Sequence, residues 1–170
     1  MERRPTPATR SSRRGTSGRL RSPYDWAMAT ELSKSQLEDV LDRAAAEAWD
    51  ELAFLRYEHV GALKFSRVRG FRENRSFCLK DRSVPVDRLR RVKSLRRLAI
   101  QGQDLSGTKS AALARALGDL RALEYLVLDG NGINDEGAQL LASALKDKPD
   151  LEFLSLRLNS IRAGGAHSLA

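Results

Sequence analysis

The 170-residue chain has only two histidines, His59 and His167, and one cysteine, Cys78. These are the side chains best suited to proton transfer, nucleophilic attack and zinc ligation near neutral pH. The histidines stand more than a hundred residues apart, outside any metal-ligand spacing, and one cysteine cannot supply a Cys cluster. No Gly-x-x-x-x-Gly-Lys loop or dinucleotide fingerprint is present. The carboxylates fall in no pattern distinct from solvated helix faces. No enzyme activity, metal or cofactor is therefore expected, and the chemistry left is that of contact. The stretch Arg88, Arg90, Arg91, Lys93, Arg96 and Arg97 can engage phosphates or an acidic protein surface. It lacks interleaved aromatics for base stacking and matches no nucleic-acid-binding motif. The acidic segment 35–59, with seven acids against two arginines, offers these cations a partner within the chain.

The elements that position these residues follow from a self-comparison. Shifted by 28 positions, Leu123-x-x-Leu126-x-Leu128-x-x-Asn131-x-Ile133 falls on Leu151-x-x-Leu154-x-Leu156-x-x-Asn159-x-Ile161. Shifted the other way it falls on Leu95-x-x-Leu98-x-Ile100-x-x-Gln103-x-Leu105. Gly137-Ala138 lies over Gly165-Ala166. The pattern resembles the leucine-rich repeat, and the period with Gly-Ala ahead of a helix resembles the ribonuclease-inhibitor-like subclass. That subclass includes the repeat regions of NOD-like receptors and of the Ran GTPase-activating protein. The resemblance covers residues 95–170 and none of the first 70 or so. It implies an α/β solenoid with parallel strands on the concave face and helices on the convex face, and a role in protein binding. Regulation of a small GTPase is a further reading that it raises.

Side chains alternate along a strand, so Leu126 and Leu128 point inward while Tyr125, Val127 and Asp129 point outward. Stacked units then set three outward columns: Arg97, Tyr125, Phe153; Ala99, Val127, Ser155; and Gln101, Asp129, Arg157. Tyr125 and Phe153 become neighbours, of residue types enriched at binding hot spots, unless they serve only as a cross-strand pair. Arg97, Gln101, Tyr125, Asp129, Phe153 and Arg157 are the candidate partner-binding residues. Asn131 and Asn159, with Gln103 in the first unit, fall where the chain leaves the strand. An amide there can satisfy backbone groups that no ladder reaches, groups costing about 1–3 kcal/mol each if left unpaired. Asn134 or Asp135 can cap a helix holding Gln139–Lys146, with Leu140, Leu141, Ala144 and Leu145 as its apolar face.

Residues 1–34 form a basic tail, rich in Arg, Ser, Thr, Pro and Gly, that is expected to be disordered. Residues 35–73 read as a helical cap. Ser35-Gln36-Leu37-Glu38 has capping-box form, and Leu37, Val40, Leu41, Ala44, Ala48, Leu52 and Leu55 continue an apolar stripe for about 20 residues. In 74–94 a degenerate repeat can be laid out, with Phe77 and Leu79 in the places of Leu98 and Ile100, and Arg82 in that of Gln103. The units 95–122, 123–150 and a shortened 151–170 follow. The single cysteine rules out an internal disulfide and favours a reducing, cytoplasmic or nuclear setting. The third unit leaves Leu154, Leu156, Ile161 and Leu169 with an open neighbouring face. The chain is accordingly expected to belong to a longer scaffold or receptor, or to complete its core on another chain. The function expected is a non-enzymatic protein-interaction module. The alternative is an adaptor using the tail and the 88–97 cluster on nucleic acid or an acidic surface.

Overall fold

The computed structural model describes Leu32 and residues 34–56, 76–79 and 84–170. The basic tail apart from Leu32 and Lys34, together with His59 and Arg82, lies outside the described residues. Five helices and five strands are described: α1 (Lys34–Ala46), β1 (Glu51–Arg56), β2 (Ser76–Leu79), α2 (Val86–Leu89), β3 (Arg97–Gln101), α3 (Thr108–Asp119), β4 (Tyr125–Val127), α4 (Asp135–Leu145), β5 (Phe153–Ser155) and α5 (Ala163–Leu169). The strands form one sheet in the order β2-β1-β3-β4-β5, with every neighbouring pair parallel.

Alternation in the strands decides where the core lies. Leu52, Phe54, Leu98, Ile100, Leu126 and Leu128 turn to one side and join Leu113, Leu117 and Leu141 of the helices in one buried cluster. Register sets Leu98 opposite Leu126 and Leu126 opposite Leu154, so each strand extends the same apolar row. Glycine lets successive helices approach closely. A Cβ on Gly137 would stand 2.7 Å from Ser110 Oγ and 2.9 Å from Ile133 Cγ2, and one on Gly165 would meet Asp135 Oδ1 at 2.7 Å. At the start of α3, Ser110 donates to the Leu105 carbonyl. Asp104 accepts from the Ser106 hydroxyl and from Lys109 Nζ. These bonds, the serine's first, hold the Asp104 carboxyl down at about 2.

The N-terminal third departs from the sequence reading. The apolar stripe from Leu37 to Leu55 is not one helix: α1 stops at Ala46 and β1 begins at Glu51. Ala48 takes φ 50°, and Trp49 N–H reaches back to Ala44 O at 2.9 Å. This left-handed stop is usually made by glycine. The helix also begins one residue before Ser35, so Ser35 lies inside it and does not cap it. The region 35–73 therefore contains a strand as well as a helix. Leu52 and Phe54 stand opposite Leu98 and Ile100, the places assigned to Phe77 and Leu79. Phe77 and Leu79 instead face Phe54 and Arg56 from the outer edge of the sheet, two residues out of the expected register. In α4 the capping residue is Asn134, which accepts from Gly137 N–H at 2.9 Å. Leu140 turns to solvent, and Gly137, Ala138 and Leu141 supply the buried face.

A glycine at position 48 would adopt this turn without a crowded Cβ. Ala48→Gly is expected to raise stability by about 0.5–1 kcal/mol in urea unfolding.

Candidate functional site

The face of the sheet opposite the core carries the outward columns. Register sets Glu51 opposite Arg97, Arg97 opposite Tyr125 and Tyr125 opposite Phe153. The Tyr125 and Phe153 rings stack with centroids 4.2 Å apart and planes within 7°. The Arg97 guanidinium lies 4.9 Å from the Tyr125 ring centre, where the electron-rich ring face attracts a cation. Three of the six candidate binding residues thus form one ladder across three strands. Its last ring, Phe153, is 41% exposed.

The middle column is covered. Ala53, Ala99 and Val127 are buried in a small second cluster against Tyr125, and Ser155 is also buried. Among the six candidate residues, the exposed ones are therefore Phe153 and Arg157. In the third column Asp129 works inside the sheet: Oδ1 accepts from Ser155 Oγ at 2.6 Å and from Arg157 N–H at 2.9 Å. Gln101 is half-buried and Arg157 exposed.

The amides at the strand exits join consecutive units. Asn131, 1% exposed, accepts from Gln103 N–H at 2.9 Å and donates to Ile100 O at 2.7 Å. Asn159 repeats this one unit on, accepting from Asn131 N–H and Ile133 N–H and donating to Leu128 O. Gln103 is buried, and its side chain stays within its own unit among the described residues, with Nε2 at 3.5 Å from Gln101 O. Its Oε1 has no partner among the described residues. One extra methylene displaces the amide from the geometry that asparagine achieves.

The 88–97 cations are largely engaged. Arg88 pairs with Glu38 and Asp42 of α1, Arg91 with Asp42 and Lys93 with Asp119. Arg96 pairs with Glu124, and the Glu124 hydrogen bond raises its pKa further. Such exposed pairs add little to stability, because solvent screens them. Those of Arg88 and Arg91 tie α1 to α2 and the turn that follows it. His167 is exposed on α5. Among the described residues no group of three or more His, Cys, Asp or Glu could hold a metal ion, and no helix is long and apolar enough to cross a membrane.

Two residues went unnoticed in the sequence, though the 28-residue alignment holds the signal for both. Leu158 falls on Gly130 and Gly102, and all three have positive φ, 55°, 67° and 66°. The left-handed region costs a residue with a Cβ roughly 1–2 kcal/mol. Lys148 falls on Leu120; it is 8% exposed and donates from Nζ to Leu120 O at 2.8 Å. Burial, reinforced by the charge of Arg121, lowers its pKa.

With this geometry in view, residues 120–142 match the family model described as Leucine Rich repeat. The matched span runs from the end of α3 through β4 into α4 and includes Asn131. It supports reading the chain as a leucine-rich-repeat protein. A comparison with curated proteins gives no match.

Lys148 gives a pH test. Because its folded pKa lies below the ordinary 10.5, the unfolded chain binds more protons between the two values, and stability rises with pH there. Lys148→Met is expected to change stability near neutral pH by less than about 1 kcal/mol, since relief of desolvation is offset by the unpaired Leu120 carbonyl. The variant should lack the lysine's share of the alkaline rise. Urea midpoints of both proteins across this range check it, and parallel pH profiles would contradict it.

Proposed function

We propose that the chain is a non-enzymatic protein-interaction module of the ribonuclease-inhibitor-like leucine-rich-repeat type. It captures a partner on the outer, concave face of a short solenoid, with α1 and its neighbouring strands as the N-terminal cap. The observation that carries this reading is the ladder of Arg97, Tyr125 and Phe153. Aromatic and arginine side chains held rigid by stacking give up little conformational entropy when a partner covers them. Gln101 and Arg157 supply polar contacts at the rim, while Asp129 orients Arg157 through its backbone. The engaged state of Arg88, Arg91, Lys93 and Arg96 weighs against the adaptor reading based on that cluster. A cytoplasmic or nuclear setting fits the single cysteine.

The test is quantitative capture from cell extract with wild-type chain and a Tyr125→Ala/Phe153→Ala double variant, followed by direct titration of the proteins that distinguish them. The variant is expected to lose the partner while unfolding in one transition, with stability reduced by about 1–2 kcal/mol. Equal titration curves for the two chains would remove the ladder from the binding site.

A further inference from the structure

We propose that Ser94 is a phosphorylation site for a serine/threonine kinase that reads basic sequences, and that its phosphate loosens α1 and β1 from the repeats. The cationic stretch supplies the recognition. Arg90 and Arg91 stand four and three residues before Ser94, Lys93 directly before it and Leu95 directly after. A kinase groove lined by carboxylates takes such a pattern by charge complementarity. Ser94 is half-buried in the turn between α2 and β3, and Arg90, Arg91 and Lys93 are exposed around it. Folding makes little use of these cations. Arg90 forms no ion pair among the described residues, and the pairs of Arg91 and Lys93 are exposed.

What the hydroxyl holds is particular to this place in the chain. Ser94 Oγ donates to Trp49 O at 2.8 Å, just ahead of β1. Beside it, Asp50 O accepts from Arg96 N–H at 2.8 Å and from Arg97 N–H at 2.9 Å. The backbone part of this joint recurs: Arg96 O accepts from Glu124 and Tyr125 N–H, and Glu124 O from Glu152 and Phe153 N–H. The hydroxyl part does not, since Ala122 and Asp150 stand at the places equivalent to Ser94 and neither has a side-chain donor. The kinase reads an extended chain, and Val92 and Leu95 are buried, so transfer follows a local opening of the turn. Ser94 Oγ then attacks the γ-phosphorus of ATP, the bond to the bridging oxygen breaks, ADP leaves, and the hydroxyl proton passes to the kinase's base. The phosphate ester cannot donate to Trp49 O, and its negative oxygens repel that carbonyl. Arg90 is the cation free to meet the phosphate once the turn is open. Glu51, the first residue of β1, stands opposite Arg97, so the joint also governs what lies at the head of the Arg97–Tyr125–Phe153 ladder.

The experiment treats the whole chain with ATP, magnesium and the catalytic subunit of a basic-directed serine/threonine kinase. Tandem mass spectrometry maps the phosphate, and amide hydrogen exchange follows the product. A free peptide of residues 88–98 serves as reference substrate. Ser94 should be modified in both, more slowly in the folded chain. Arg91→Gln should lower the yield at Ser94 by about tenfold or more. That change also removes the pair with Asp42 and so frees α1, which means that the fall cannot come from reduced access. In the phosphorylated chain the β1 amides should exchange about tenfold or more faster, while Leu126 in β4 keeps its rate. The proposal is overturned if Ser94 stays unmodified while the peptide is consumed, if Arg91→Gln is modified at the wild-type rate, or if the β1 amides keep their rate. Equal acceleration in β1 and β4 would overturn it too, as general unfolding in place of an opened joint. None of these outcomes touches the outer-face reading, which the Tyr125→Ala/Phe153→Ala variant tests separately.

Discussion

The side-chain amide at each strand exit is the constraint on which the rest of the structure depends. β4 and β5 are only three residues long, so ladder bonds alone cannot hold the backbone where it turns from strand to return segment. Asn131 closes that gap from both sides, accepting from Gln103 N–H and donating to Ile100 O in the preceding unit. Because it is buried, losing it would strand groups that water cannot reach. Its own N–H is satisfied by Asn159. Each unit is thus completed by the one after it, and the strands are held in the register that lines up the core leucines.

That register also determines what appears on the opposite face. Once Leu98, Leu126 and Leu154 align, alternation sets Arg97, Tyr125 and Phe153 in a row, and the distance between parallel strands suits ring stacking. Ala53, Ala99 and Val127 form a small buried cluster beside Tyr125. The face therefore presents a stacked ridge, ending in a partly exposed phenylalanine, with arginine and leucine at the exit of the next turn.

Much of this was legible in the sequence between Leu95 and Ala170. A repeat states its pattern several times, so the strand positions, a cap at Asn134 or Asp135 and the Tyr125–Phe153 neighbourhood followed from spacing. The N-terminal third has no such redundancy. The run from Leu37 to Leu55 fits a helical stripe, and the stop at Ala48 uses a left-handed alanine where glycine would have announced it. Strand order was hidden for another reason: β1 stands between β2 and β3, so consecutive segments of the chain are not neighbours in the sheet. Leu158 and Lys148 were visible only as departures from the repeat. Apolar matching gives no weight to a leucine over a glycine, and it reads a lysine over a leucine as a mismatch, although here the lysine is buried.

The most direct test of the amide constraint is hydrogen exchange, followed residue by residue by NMR. Gln103 and Ile133 lie outside every strand and helix, yet their N–H groups donate to Asn131 and Asn159. They are expected to exchange as slowly as Leu98 and Leu126 in the sheet, because opening them requires separating two units. Exchange at the rate of an open loop would contradict the account, since the units would then be held by apolar packing without the amides.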